Sequence, residues 1–236
     1  MSRLTLVRHG QAMFLTDDYD RLSPLGNQQA ERVGSALATD GPEPTHVFVG
    51  SLKRQQQTLA GIRISAGQDV VVNEALLLNE FPFDAMLRVQ IDRFRGRNEL
   101  VDTSLNALEG DIERDQRIRH VQRLLEFAID DWVRGDRRDE AAGIPSWQRF
   151  LSGVYEFIET IQQRVPSRSH VVAVTSGGVV AAATQYVLDA PPLAAARLCW
   201  RVNNASLTQM TFTQSRLSLD HFNRIGHIPA SLRTYR

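Results

Sequence analysis

The stretch Leu4-Thr5-Leu6-Val7-Arg8-His9-Gly10-Gln11-Ala12 decides how the chain is read. Its first four residues form a short apolar, β-prone run. The run stops on a charged pair and a glycine, where the backbone can turn tightly and approach a ligand closely. That is a strand feeding a polar loop. After the loop, Ser23-Pro24 ahead of Leu25-Gly26 marks a helix start, with Ser23 as cap and Pro24 at the first helical position. Ala30, Val33, Gly34 and Leu37 give that helix one apolar face. A second unit follows: His46 to Val49 reads as a strand, Gly50-Ser51 as turn and cap, and Leu52 to Ile64 as a helix. Val70-Val71-Val72 is a third short strand.

From about Phe81 to Arg138 the pattern changes to charged, helix-prone sequence without a convincing strand. Ile112 to Trp132 carries apolar residues at Ile118, Val121, Leu124, Leu125 and Ala128, the stripe of a helix with one buried face and one solvated face. We therefore expect a helical insertion over residues 81–140 of a single domain spanning 1–236, covering the ligand edge of the sheet. The strand–helix pattern then resumes with a helix around Trp147 to Val165, a buried strand from His170 to Thr175, a turn at Ser176-Gly177-Gly178 and a helix from Val179 to Leu188. Ser206 to Thr213 and Arg216 to His221 flank a tight Gln214-Ser215 turn as an antiparallel hairpin at the sheet edge. The order predicts an α/β fold, a three-layer α/β/α sandwich with a mostly parallel central sheet.

Composition narrows the function. The 27 basic side chains equal the 27 acidic ones, so no global field draws the chain to nucleic acid or an anionic membrane, and an anion must be captured locally. Cys199 is the only cysteine, which excludes an intramolecular disulfide and a multi-cysteine metal site. The N-terminus lacks a signal peptide's long apolar region, so the expected location is the cytoplasm. His46, His120, His221 and His227 show no metal-ligand spacing, and no metal or cofactor is called for. Trp132, Trp147 and Trp200 read as packing anchors, and His170, at the entering end of its strand, as structural. Asn204-Ala205-Ser206 reads as a turn near the ligand pocket.

In open parallel sheets, ligands bind beyond the carboxyl ends of the strands, where the next helices present their N-termini. Arg8-His9-Gly10, Ser51 to Arg54 and Ser176-Gly177-Gly178 all occupy such positions. A neutral imidazole can attack phosphorus, and guanidinium groups hold phosphate oxygens in pairs. His9, Arg8 and Arg54 supply those parts, although Arg-His-Gly can equally be an ordinary strand exit.

Several segments together resemble the histidine phosphatase superfamily, which includes cofactor-dependent phosphoglycerate mutases and many small phosphatases of bacterial type. Leu6 to Ala12 is similar to its signature strand and loop, Leu22 to Ala30 to its next helix start, and Gly50 to Thr58 to the segment with its second phosphate-binding arginine. Leu78-Asn79-Glu80-Phe81 resembles the segment of its acidic proton donor, and Asn204-Ala205-Ser206 and His221-Phe222-Asn223 through His227-Ile228 its C-terminal patterns. The resemblance implies a phosphoglycerate mutase-like fold, His9 as the nucleophile that becomes phosphohistidine, and Arg8 and Arg54 on the phosphoryl oxygens. It implies Glu80 as general acid, its pKa raised by burial or an acidic neighbour, with Asp84 in reserve. Ser176 stands where the family usually has a second histidine. Its hydroxyl and the amides of Gly177 and Gly178 would still contact phosphate, without the positive charge.

Three functions follow as expectations. The first is a metal-independent phosphatase acting on a small phosphorylated molecule or a phosphoprotein. The second is a phosphate-ligand binding or regulatory protein of reduced catalytic competence, and the third a phosphoglycerate mutase. Arg88, Arg93, Arg95, Arg97 and Arg114 of the insertion are candidates for shaping the leaving-group pocket. A homodimer through an edge strand or the insertion is compatible with the pattern.

Overall fold

The computed structural model describes residues 1–13, 18–66, 70–135, 139 and 141–235. They form two compact units, one of Met1–Glu80 with Ser152–Arg236 and one of Phe81–Leu151. The first unit is built on a six-stranded sheet of β1 (Ser2–Arg8), β2 (His46–Val49), β3 (Val72–Glu74), β4 (His170–Thr175), β5 (Leu207–Phe212) and β6 (Leu217–Arg224). Its spatial order is β3-β2-β4-β1-β5-β6; the first four strands run parallel, and β5 and β6 close the sheet as an antiparallel hairpin.

Strand composition follows position. Central β4 is buried at every residue, and its inner residues Val171, Val172, Ala173 and Val174 form an uninterrupted apolar run between the polar ends His170 and Thr175. In β2 the side chains alternate. Val47 and Val49 join Val33 and Leu37 of α1 (Pro24–Thr39) and Leu59 and Ile62 of α2 (Lys53–Ala66) in one core. Phe48 points the other way and meets Phe157 ring-edge to face at 5.4 Å. Helices therefore lie on both faces of the sheet, which makes the three layers.

Local chemistry sets the element ends. Ser23 Oγ accepts the Gly26 amide at 3.0 Å and caps α1, with Pro24 at its first position. The strand expected over Val70–Val72 is displaced, because an edge strand takes its position from its partner. Pairing of Val47 with Val72 and Val49 with Glu74 brings polar residues into β3 and leaves Val71 exposed.

The second unit contains α3 (Phe83–Phe94), α4 (Glu99–Glu109) and α5 (Arg114–Gly135). Asn98 caps α4 through the Val101 amide, so this region holds a helix that the sequence reading had not separated from α5. The unit extends past the 81–140 stretch to Leu151 because Trp147, at the start of α6 (Trp147–Arg164), packs against Trp132 at 5.2 Å, with Phe81 4.9 Å from Trp132. Arg95 pairs with Glu109 and Arg93 with Asp131 inside it. Between β4 and β5 the chain forms α7 (Gly177–Leu188) and α8 (Pro192–Leu198). Among the described residues no helix is long and apolar enough to cross a membrane.

Candidate active site

The sheet register carries three loops to one edge. Arg8 lies opposite Thr175 and Val49 opposite Val174, so β1, β4 and β2 end level with one another and release His9, Ser176 and Gly50 side by side. His9 is joined directly to the neighbouring strand, its amide donating to Thr175 O at 2.9 Å. The loop after β1 then runs under α1 at backbone contact: a Cβ on Gly10 would stand 3.0 Å from the Gly26 carbonyl carbon. Glycine is required at that crossing by space, not by an unusual backbone angle.

His9 is buried, and both ring nitrogens are engaged. Nδ1 lies 2.7 Å from Gly10 O, an acceptor only, so Nδ1 carries the proton. Nε2 then presents its lone pair, which accepts Arg54 Nε–H at 3.1 Å. Burial, followed by the charges of Arg54 and Arg8, holds the imidazole well below its ordinary range, with the Gly10 carbonyl opposing. The ring is thus held in its neutral form, with Nδ1 protonated and the Nε2 lone pair turned to Arg54.

The arginines flank it differently. Arg54, in the first turn of α2, is buried; its Nη1 pairs with Asp20 Oδ1 at 2.7 Å and its guanidinium lies over the Tyr19 ring at 5.3 Å. Asp20 is itself fixed by the Lys53 amide at 2.9 Å. Arg8 Nη1 donates to the carbonyl of Val202 and, at 2.9 Å, to that of Tyr235. Its Nε is buried and has no hydrogen-bond partner among the described residues. Burial pushes this guanidinium down from its ordinary value, against the opposing charges of Tyr19 and Glu80.

Beyond β4, Ser176 is wholly buried and Gly177 opens α7. A Cβ on Gly177 would come 3.2 Å from Cys199 O and 3.4 Å from Arg8 Nε, so the bare glycine lets the guanidinium lie against the helix start. Half-buried Glu80 accepts the Gly178 amide on Oε2 at 3.0 Å. Glu80 also lies close enough to Arg8 for their charges to interact. Asp84 lies in the first turn of α3, in the second unit. Thus Arg8, His9, Arg54, Ser176, Gly177 and Glu80 meet in one unit.

Other roles fall elsewhere. Ser51 does not act as a free cap: its amide donates to Asn79 Oδ1 and its Oγ accepts Asn79 Nδ2, both at 2.8 Å, tying the β2 loop to the segment before Glu80. His170 bonds Thr5 and Pro42 O at the opposite sheet edge. Asn204-Ala205-Ser206 forms a turn against the site, Ala205 N donating to the carbonyls of Arg8 and His9 at 3.1 Å. Among the described residues no group of three or more His, Cys, Asp or Glu gathers as a metal site.

Sequence reasoning missed Asp20, Gln55, Thr234 and the Tyr235 carbonyl. Thr234 bonds Gln29 and Asn204, and Gln29 Oε1 holds the Gln11 amide, so the C-terminal segment buttresses the β1 loop. No local pattern marks such residues, since each acts through a partner distant in sequence.

Among solved structures the chain is similar to the phosphoglycerate mutase of Bacillus anthracis, with 16% identity over 96% of this chain and 94% of that one and a TM-score of 0.66. It is also similar to a mycobacterial glucosyl-3-phosphoglycerate phosphatase (20% identity, 94% and 98% covered, TM-score 0.62). A third similar structure is the Entamoeba histolytica phosphoserine phosphatase (17%, 97% and 100% covered, TM-score 0.62). Identities this low establish a shared fold. No curated protein matches the sequence. The model of the histidine phosphatase superfamily (branch 1) matches residues 4–93 and 98–225, nearly the whole chain, and the chain belongs to that superfamily.

Proposed function

We propose that the protein is a metal-independent phosphomonoesterase acting through a phosphohistidine on His9, on a small phosphorylated molecule or a phosphoprotein in the cytoplasm. The observation that carries this reading is the buried Nε of Arg8, without a hydrogen-bond partner among the described residues, beside a neutral imidazole whose Nε2 lone pair is presented by its tautomer. A buried guanidinium N–H without an acceptor calls for an anionic oxygen. Nε2 attacks phosphorus as the bond to the leaving oxygen breaks, and Glu80, in its protonated form, gives that oxygen a proton. Water then attacks phosphohistidine, Glu80 takes a proton from it, and inorganic phosphate leaves. Arg8, Arg54, the Ser176 hydroxyl and the Gly177 amide hold the phosphoryl oxygens. Arg54 Nε, now on His9 Nε2, transfers to one of these oxygens when phosphorus takes that lone pair.

Alkaline quenching after a pulse of labelled phosphomonoester tests the intermediate. The expected label is acid-labile, alkali-stable and absent from His9→Ala; its absence from the native chain, or persistence in that variant, overturns the reading. Glu80→Gln should slow alkyl phosphates far more than aryl phosphates, whose leaving groups need no proton. The neutral Ser176 favours a second reading, a phosphate-ligand binder of reduced competence. Arg8- and Arg54-dependent phosphate binding without turnover across a phosphomonoester panel would select it.

A further inference from the structure

Gln55, the residue after Arg54, is wholly buried, and its side chain joins three segments of the site. Nε2 donates to Leu78 O and to Ser176 Oγ, both at 2.9 Å, while Oε1 accepts the Leu52 amide at 3.3 Å. The backbone fixes which end of the carboxamide is which. The Leu78 carbonyl can only accept and the Leu52 amide can only donate, so the nitrogen faces Leu78 and, with it, Ser176. Leu78 O also accepts Thr175 Oγ1 at 2.7 Å, which locks the segment leading to Glu80 against the end of β4.

The consequence lies in the serine. A hydroxyl has one O–H to give, and toward Gln55 Ser176 Oγ is the acceptor. Its proton therefore points away from Gln55, and no described residue accepts it. Through Thr175 O, which takes the His9 amide, and through Gly178 N, which holds Glu80, Ser176 sits between the nucleophile and the carboxyl group. We infer that Gln55 is a positioning residue that makes Ser176 an obligate donor to an oxygen of the phosphoryl group transferred to His9. This rests on the phosphohistidine reading. It explains how a neutral serine serves where a second histidine is usual: orientation replaces charge.

A double-mutant cycle on the full chain tests it. Ser176→Ala removes the donor and should lower kcat about 10²-fold, with KM changed much less. Gln55→Glu cannot donate to Ser176 and draws the serine proton to itself, so kcat should fall by a similar factor. Gln55→Met, of similar volume and without a donor, is the companion variant. If Gln55 acts through Ser176, either Gln55 change added to Ser176→Ala should cost less than about twofold more. Equal losses in both backgrounds, or a Ser176→Ala enzyme with unchanged kcat, overturn the inference. His9-dependent turnover combined with additive losses defeats only the pairing, whereas a chain without His9-dependent turnover defeats the parent reading and this one together. Should both Gln55 variants melt below assay temperature, Ser176→Ala decides: lowered kcat with weakened inhibition by inorganic phosphate supports an oriented donor, whereas unchanged kcat, or lowered kcat with unaltered phosphate inhibition, overturns it.

Discussion

Replacing Gly26 by alanine sets two effects of opposite sign against each other. Gly26 is the third residue of α1, where helix propensity alone favours alanine by about 1 kcal/mol. The structure opposes this. An added Cβ would stand 2.9 Å from Gln11 N and 3.0 Å from Gln11 C, closer still to the oxygen, where ordinary contact begins at 3.4 Å. All three are backbone atoms, so no side chain can swing aside, and relief takes a shift of the β1 loop on the order of 1 Å. That loop is held by Gln11 N to Gln29 Oε1 at 2.8 Å, Ser23 Oγ to Gln11 Oε1 at 2.8 Å and Ser23 N to Gln11 O at 2.9 Å. A shift of that size breaks one or two of these bonds. Overpacking costs about 1–3 kcal/mol and each lost bond about 1 kcal/mol, so the net effect is a destabilisation of about 1–4 kcal/mol. At roughly 2–4 °C per kcal/mol for a chain of this size, Tm should fall by several degrees. Because His9 begins the same loop, kcat should fall by about 10²-fold, as for a 1 Å misplacement of a reacting group. Thermal melting monitored by circular dichroism, with turnover measured on the same preparations, gives both numbers. Gly226→Ala, where an added Cβ meets nothing within 4 Å, is the control expected to leave Tm and turnover unaltered. A Gly26→Ala Tm equal to or above that of the native chain would refute the argument.

Other outcomes follow from the same geometry. Arg54→Ala removes a positive neighbour from His9, so the imidazole pKa rises toward about 6.5 and the acid limb of kcat/KM moves to higher pH; a limb that stays in place contradicts the assigned contact. His9, His170 and His227 are all held below the ordinary histidine value, chiefly by burial. The unfolded chain thus binds protons that the native state refuses. Stability should fall as pH drops below about 6.5, by up to about 1.4 kcal/mol per pH unit for each such group, and urea titrations at pH 7.5 and 5.5 measure it. Greater stability at pH 5.5 would reverse the sign. Trp132→Ala removes the ring packed by Phe81 and Trp147 and the donor to Pro145 O, at a cost of about 3–5 kcal/mol; hydrogen exchange within 81–151 should accelerate, and unaltered exchange there would remove Trp132 from that core.

The strand–loop at Leu4 to Gly10, the capped start at Ser23-Pro24 and the buried run from His170 to Thr175 determine their elements locally, because alternation, capping and turn chemistry act over a few residues. That is why the α/β class, the closing hairpin and the strand-end candidates Arg8, His9, Arg54 and Ser176 were legible in the sequence, whereas Glu80 was named only through the resemblance to the superfamily. Local patterns are blind to pairing and to direction. The displacement of β3 comes from its register with β2, and the proton position on His9 comes from Gly10 O on one side and Arg54 on the other. Tertiary structure alone placed Asp20 on Arg54, the Tyr235 carbonyl on Arg8 and Gln55 on Ser176. Each of these joins residues far apart in sequence. The residue types at the site could thus be read from the chain, but which atom donates and which accepts is decided only when three strand ends bring their loops level.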